Sequence, residues 1–306
     1  MATLPPKSRY LPDVMTSFVP SPTPAEPVDS IDSIEPTEPI EPAVPALTWP
    51  IFAGHGLEAV VTTRVGGVSA GRYASLNLSL NVGDDPAAVL ANRRRAAATL
   101  GATPADLVFC EQVAGSGVAV VTAADRGRGA DSSAAAIVGT DALITTESGP
   151  VLVIMVADCV PIVLFDPTRR ILACVHAGWT GTVRGVTSAA VERLRTLGCH
   201  PADLLVGIGP SIHPDRYQVG ADVVDAARLT FGPHLDDVVH PDGTGAWTFD
   251  LWRANLMQLI AAGVPAEQVQ IAALDTGPGT PFFSHRSEGP CGRFAVLARI
   301  TEESSE

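Results

Sequence analysis

The sequence predicts an α/β (α+β) fold, a single compact domain of mixed sheets covered by helices. Hydrophobic residues make up 46% of the 306 residues but aromatics only 5%, so the core is aliphatic, as in strands buried on both faces. Short Val, Ile, Leu and Ala runs such as 151–156 recur between Gly, Pro and Asp punctuation, and segments with helix start and stop signals stand among them.

In order along the chain, residues 1–47 are rich in Pro and Glu, with Glu-Pro at Glu35-Pro36, Glu38-Pro39 and Glu41-Pro42, and are expected to be a disordered tail. The domain is expected over 48–300 and an acidic C-terminal tail over 301–306. A strand is expected over 59–63, followed by the turn Gly66-Gly67. A helix over 86–100 starts at Pro86 with Asp84 or Asp85 as cap. Strands follow over 118–122, 141–145, 151–156, 161–165 and 171–175. A helix over 182–197 stops at Gly198, and a strand covers 204–208. Asp250 caps a helix to Ala262, with Gly263 after it, and strands over 269–274 and 294–300 close the domain.

The net charge is -13. Seven acidic residues against Lys7 and Arg9 assign -5 of it to the tail, leaving -8 on residues 48–306, which lack the basic excess that nucleic acid or anionic membrane requires. The longest apolar run stops at Asp158, well short of the roughly 20 residues of a membrane span. The N-terminus lacks the apolar stretch of a secretory signal, so a cytoplasmic location with reduced thiols is expected. The five cysteines are odd in number and widely spaced, which argues against a disulfide framework.

Cys159 and His176 each end a buried strand and begin a polar turn, where a rigid scaffold presents reactive groups. A thiol and an imidazole together suit a nucleophile and base pair, or the binding of a soft divalent metal. Asp158, beside the cysteine, adds a carboxylate. Arg64 with Gly66-Gly67 and Ser69 joins a cation, backbone N–H groups and a hydroxyl at a strand end, a combination suited to an anion. Gly207-Ile208-Gly209-Pro210-Ser211 is a second glycine-rich strand end, and His285 stands apart from the loop histidines.

Several motifs in one order then carry a resemblance: Thr62-Thr63-Arg64 with Gly66-Gly67-Val68-Ser69, Ser75-Leu76-Asn77-Leu78, Gly83-Asp84-Asp85 with Asn92-Arg93, Ala157-Asp158-Cys159, His176-Ala177-Gly178-Trp179 and Gly209-Pro210-Ser211-Ile212. Over 49–300 the chain resembles the purine nucleoside phosphorylase family of laccase-domain, or polyphenol oxidase, proteins. The resemblance implies a fold similar to cysteine hydrolases and deamidating toxins. It also implies phosphorolysis of adenosine, inosine and methylthioadenosine, and a side activity of adenosine deamination.

It further implies a zinc site whose ligands map to Cys159 and His176. The third ligand position is Ala114, in Gln112-Val113-Ala114-Gly115, and alanine offers no donor. Thr180 and Arg216-Tyr217-Gln218 also depart from the pattern.

The expected roles are Asp158, Cys159 and His176 in catalysis, Arg64, Ser69 and Asn77 in holding substrate and phosphate, and Cys159 and His176 on zinc. The expected partners are a purine nucleoside and phosphate, with no nucleic acid and no membrane, in a monomer or homodimer. Copper is disfavoured, because a multicopper centre needs about ten histidines and the chain has seven. Two alternatives stand beside phosphorolysis: a weakened nucleoside-binding member, and a hydrolase using Cys159 and His176.

Overall fold

The computed structural model of the protein describes residues 18–19 and 44–302. Most of the tail expected over 1–47, and 303–306 of the acidic end, lie outside them. Within them, Val44, Ala46 and Leu47 are buried, so the domain begins slightly before residue 48.

The strands, in chain order, are β1 (Phe18–Val19), β2 (Ala46–Leu47), β3 (Leu57–Thr62), β4 (Leu107–Phe109), β5 (Val118–Val121), β6 (Ala142–Thr145), β7 (Val151–Val156) and β8 (Val160–Asp166). They continue as β9 (Ile171–Ala177), β10 (Leu205–Ile208), β11 (Gln218–Val219), β12 (Val239–Pro241), β13 (Trp247–Phe249), β14 (Val269–Ile271) and β15 (Phe294–Ile300). The helices are α1 (Pro86–Ala98), α2 (Trp179–Val183), α3 (Val186–Thr196), α4 (Ala221–Phe231), α5 (Leu251–Ala261) and the short α6 (His285–Glu288).

Two mixed six-stranded sheets carry the fold, ordered β1-β2-β3-β15-β7-β4 and β14-β10-β8-β9-β6-β5, with a small sheet β11-β13-β12 beside them. Side chains alternate between the faces of a strand, and that alternation builds four layers. On the first sheet Val60, Val153 and Leu297 pack with Ala96 and Ala97 of α1. Its other face, with Val61, Ile154 and Val296, meets Leu143, Val163, Phe165 and Leu172 of the second sheet. The far face of the second sheet, with Ile144, Ile162 and Val175, is covered by Val191 of α3, Ala227 of α4 and Leu259 of α5. Each sheet is thus buried on both sides, as the low aromatic and high aliphatic content implies.

Local signals act as expected at several ends. The Asp85 carboxylate accepts from Ala87 N–H at the start of α1, and that of Asp250 accepts from Arg253 N–H in α5. The helix expected over 182–197 is two helices: Gly185 takes φ 76° between α2 and α3, a left-handed conformation that ends one helix and turns the chain into the next. The short strands β4, β11, β12 and β13, and helix α4, carry weaker patterns and were not anticipated.

The step that positions the site is the link from β7 to β8. These strands belong to different sheets, yet only Ala157, Asp158 and Cys159 join them. Asp158 makes the crossing in a left-handed conformation at φ 79°.

Candidate active site

Cross-strand register sets the first feature of the site. Ala142 pairs with Val175 and Val160 with Ala177, so one residue further along, Asp141 lies beside His176 and Cys159 beside Gly178. Parity sets the second. His176 shares the face of Leu172 and Cys174, Cys159 that of Val163 and Phe165, and Asp141 that of Leu143, all of which pack between the sheets. The three polar side chains are therefore the open end of an otherwise apolar inter-sheet row.

There, His176 Nδ1 lies 2.8 Å from Asp141 Oδ1. A carboxylate only accepts, so Nδ1–H is the donor and Nε2 is left towards Cys159, with which the ring also hydrogen-bonds. Burial alone would lower the His176 pKa, but charge on the Cys159 sulfur and the bond to Asp141 outweigh it and hold the imidazole at about 9. Burial likewise opposes ionisation of Asp141, and His176 with the Gly115 and Val113 amides overcomes this and keeps it below the usual carboxylate range.

Gly178 is required by this geometry. A Cβ built on it falls 2.8 Å from Cys159 Sγ and 3.8 Å from His176 Nε2, so any side chain would enter the space between thiol and ring.

Asp141 also organises the loop that precedes it. Its carboxylate accepts from the backbone N–H groups of Val113 at 3.3 Å, Ala114 at 3.0 Å and Gly115 at 2.7 Å. Ala114 sits at φ 54°, a conformation uncommon for alanine, and the three amide bonds hold it there. The Gln112 side chain clamps the same loop to β7, donating to Met155 O and accepting from Met155 N–H.

Cys159 and His176 open onto a cavity of about 390 Å³. Cys110, Met155, Val156 and Ala157 form its apolar wall, and Asn81, Glu111, Gln112, His285 and Arg293 bring polar groups to it. The volume lies within the roughly 300–1,000 Å³ usual for small-molecule sites. The Arg293 guanidinium supplies the cavity's cation and is held by the Cys291 and Gly292 carbonyls, each at 2.9 Å.

The other residues expected at the site lie outside the cavity wall. Asp158 is buried, and its carboxylate accepts from Thr276 Oγ1 at 2.6 Å, Ser284 Oγ at 2.7 Å and Arg286 N–H at 2.6 Å. It fixes the crossover and the 276–286 segment, which accounts for a charged residue between two apolar strands.

Arg64 makes a bidentate pair with Glu288 at 2.9 and 3.2 Å, donates through Nε to Ala74 O, and lies over the Phe283 ring. Ser69 Oγ donates to Asp84 at 2.6 Å. Asn77 donates to Asp84 and Ser79 O, and accepts from the N–H groups of Ser79 and Arg293. Asn92 bridges Ser69 to the Ser75 and Asn77 carbonyls. At Gly67 the turn packs tightly on the 75–76 backbone, since a Cβ there would lie 2.1 Å from Ser75 O. At the second glycine-rich strand end, Gly209 N–H donates to Pro161 O and Gly209 O accepts from Trp252.

Asp141 and Arg293 were not singled out from the sequence. Asp141 could have been found: it opens a strand on the same parity as buried Leu143. Arg293 gives no such signal, because its place on the cavity depends on the return of β15 beside β7.

The donor set can be tested against the zinc that the resemblance implies. Cys159 Sγ and His176 Nε2 face the cavity, Ala114 offers nothing, and among the described residues no three His, Cys, Asp or Glu side chains converge as a metal site. A structural zinc takes four protein ligands and a catalytic one about three, so the residues of this chain do not fit it. Among the described residues, no helix is long and apolar enough to cross a membrane.

The profile of a family described as multi-copper polyphenol oxidoreductase laccase matches residues 58–301. The purine nucleoside phosphorylase YlmD of Geobacillus stearothermophilus is 40% identical over 257 residues, covering 83% of this chain and 93% of that protein. The adenosine deaminase RL5 of an unknown prokaryotic organism is 39% identical over 235 residues, covering 76% and 90%. The crystal structure of Geobacillus stearothermophilus YlmD matches with a TM-score of 0.80 over 84% of this chain and 96% of that one.

Proposed function

Because this chain belongs to the multi-copper polyphenol oxidoreductase laccase family, and its relatives include purine nucleoside phosphorylases and an adenosine deaminase, we propose that it cleaves purine nucleosides with phosphate, giving free base and pentose 1-phosphate. The coarser statement, an enzyme of nucleoside metabolism, rests on those relatives. The observation that carries the finer one is the cavity in which an Asp141-oriented His176 and the Arg293 cation share one wall system.

Phosphorolysis needs an anion held near the anomeric carbon and a proton supplied to the departing purine. Arg293, held by neutral carbonyls, is the group assigned to phosphate. Arg64, which the sequence suggested, would first have to leave Glu288. His176 carries the proton at Nε2, since Asp141 holds Nδ1–H and fixes the ring. Met155 and Val156 give the base an apolar wall, and Gln112, bonded at both ends of its amide, shapes the cavity.

The test is release of free base from inosine, adenosine and methylthioadenosine with and without phosphate. Phosphate-dependent release with matching pentose 1-phosphate is expected. Release that ignores phosphate, or none from any of the three, overturns the reading.

A further inference from the structure

The edges of the two large sheets are finished differently. On β4, which ends the first sheet, residues 127–128 bond to the free side of the strand: Gly127 N–H donates to Leu107 O and Phe109 N–H to Arg128 O, each at 2.9 Å. β14, at one end of the second sheet, is three residues long, with the exposed Glu267 ahead of it and its Gln270 side chain bonded to Ile51 N–H. β5, at the other end, pairs only with β6 among the described strands. Residues 112–124 contain no charged side chain and no proline, and charge, proline or cover is what normally keeps a sheet edge from pairing with another chain.

The exposure of β5 comes from this edge. Val118 and Val120 pack with the core under α3, and Ala119 with the core between the sheets, so both faces of the strand are covered. Yet all three residues are half-buried, where β6 beside them is wholly buried. The two strands run parallel, with Val118 beside Ala142 and Val121 beside Thr145, and Gly117 O accepts from Ala142 N–H. In such a ladder alternate residues bond to a given neighbour. Residues 117, 119 and 121 therefore face β6, and Val118 and Val120 turn their N–H and C=O groups to the open side.

We infer that this edge docks a second copy of the chain, β5 antiparallel to β5 about a two-fold axis at Ala119. In that register Val118 of each copy faces Val120 of the other and exchanges both backbone bonds with it, as in the hydrogen-bonded pairs of antiparallel strands. Charge selects the occupant. Two chains that each carry -13 repel except along a neutral stretch, and the ends of this one are complementary. Arg184 donates to Ala114 O at 3.4 Å near its start, and Glu147 accepts from Ala123 N–H at 2.6 Å near its finish. Pairing about Ala119 sets residue 114 of one copy towards 124 of the other, so Arg184 and Glu147 come to the same end twice in the dimer. Val113 and Val138, 49% and 73% exposed, stand at those ends too, beside the other copy's uncharged residues 122–124.

The test is sedimentation of the full chain from about 1 µM to about 1 mM, with amide exchange on the same samples. A reversible dimer is expected. As concentration rises, exchange at the Val118 and Val120 amides should slow while that at Ala119 and Val121, already bonded to β6, stays as it was. Arg184→Glu and Glu147→Arg should each weaken the dimer about tenfold or more, and the two together should restore it, because the exchanged charges meet again. A chain that remains monomeric throughout overturns the inference. So does a dimer that leaves exchange at 118 and 120 unchanged, which would place the contact elsewhere. Slowed exchange in a dimer indifferent to either charge reversal overturns the two-fold register about Ala119.

Discussion

The cluster around Asn92 and the row Asp141–His176–Cys159 are both polar, both largely buried and both built beside strand ends, yet they differ in what their hydrogen bonds leave over. In the first, Ser69, Asn77, Asp84 and Asn92 bond to one another and to nearby backbone. In the second, Asp141 is committed to three amides and a ring nitrogen, whereas His176 and Cys159 bond to each other and line the cavity. A polar group whose bonding is complete inside the fold holds structure, and one with a valence facing a cavity is placed for chemistry.

The comparison breaks most sharply at Cys159 and His176. Replacing either by alanine should reduce nucleoside turnover by about 10³-fold or more; the thermal midpoint should stay close to that of the parent in Cys159→Ala, whereas His176→Ala also removes the partner of the buried Asp141 carboxylate and should lower it. Steady-state kinetics and calorimetry on the same samples check this. Full turnover in His176→Ala would place the chemistry elsewhere.

Asn92→Leu should do the reverse. Asn92 is fully buried and accepts from Val68 N–H at 2.8 Å while donating to Ser69 and two carbonyls, so its loss leaves several buried groups without partners at roughly 3 kcal/mol. Denaturant unfolding reads the loss. The activity remaining per folded molecule should be near that of the parent, apart from any displacement of Arg293 through Asn77.

A smaller effect separates the parts within the row. The His176 pKa is raised from 6.5 to about 9, so the native state binds the proton more tightly than the unfolded chain. Its contribution to stability is complete below pH about 6.5 and is lost as the pH rises through about 9. Asp141→Asn should flatten that part of the stability profile and move the pH dependence of turnover, which a merely structural change at a strand end would leave in place. It should also speed amide exchange in 113–115, whose N–H groups would lose a charged acceptor. An unchanged pH profile would remove Asp141 from its positioning role.

Strand periodicity made β3, β7, β8, β9 and β15 legible, because long aliphatic runs bounded by Gly or Asp have few other readings. The same alternation, continued one residue past each strand end, would have placed Asp141, Cys159 and His176 on one face. The short strands β11 to β13 carry too few residues for a period to show. The two-sheet crossing at Asp158 was not legible, since adjacent strands 151–156 and 161–165 look like a hairpin and only packing sends them into different sheets. The partners of Arg64, Ser69 and Asn77 were not legible for a physical reason. Residue type shows that a group can bind an anion, whereas its availability depends on partners as distant as Glu288 and Arg293.

Arg64 therefore gives the smallest expected effect and the finest test of the comparison. Its guanidinium pairs with Glu288 across side chains that are 25% and 32% exposed, where solvent screens the charge, and it lies 4.4 Å from the Phe283 ring centroid. Arg64→Gln should cost about 1 kcal/mol of stability and leave the KM for phosphate unchanged. Arg293→Gln should raise that KM about tenfold or more, since it removes the cavity's own cation. If the two variants exchange these results, Arg64 breaks its pair with Glu288 to reach the substrate. A completed hydrogen-bond set would then mark a resting arrangement, and Arg293 would be the structural one of the two.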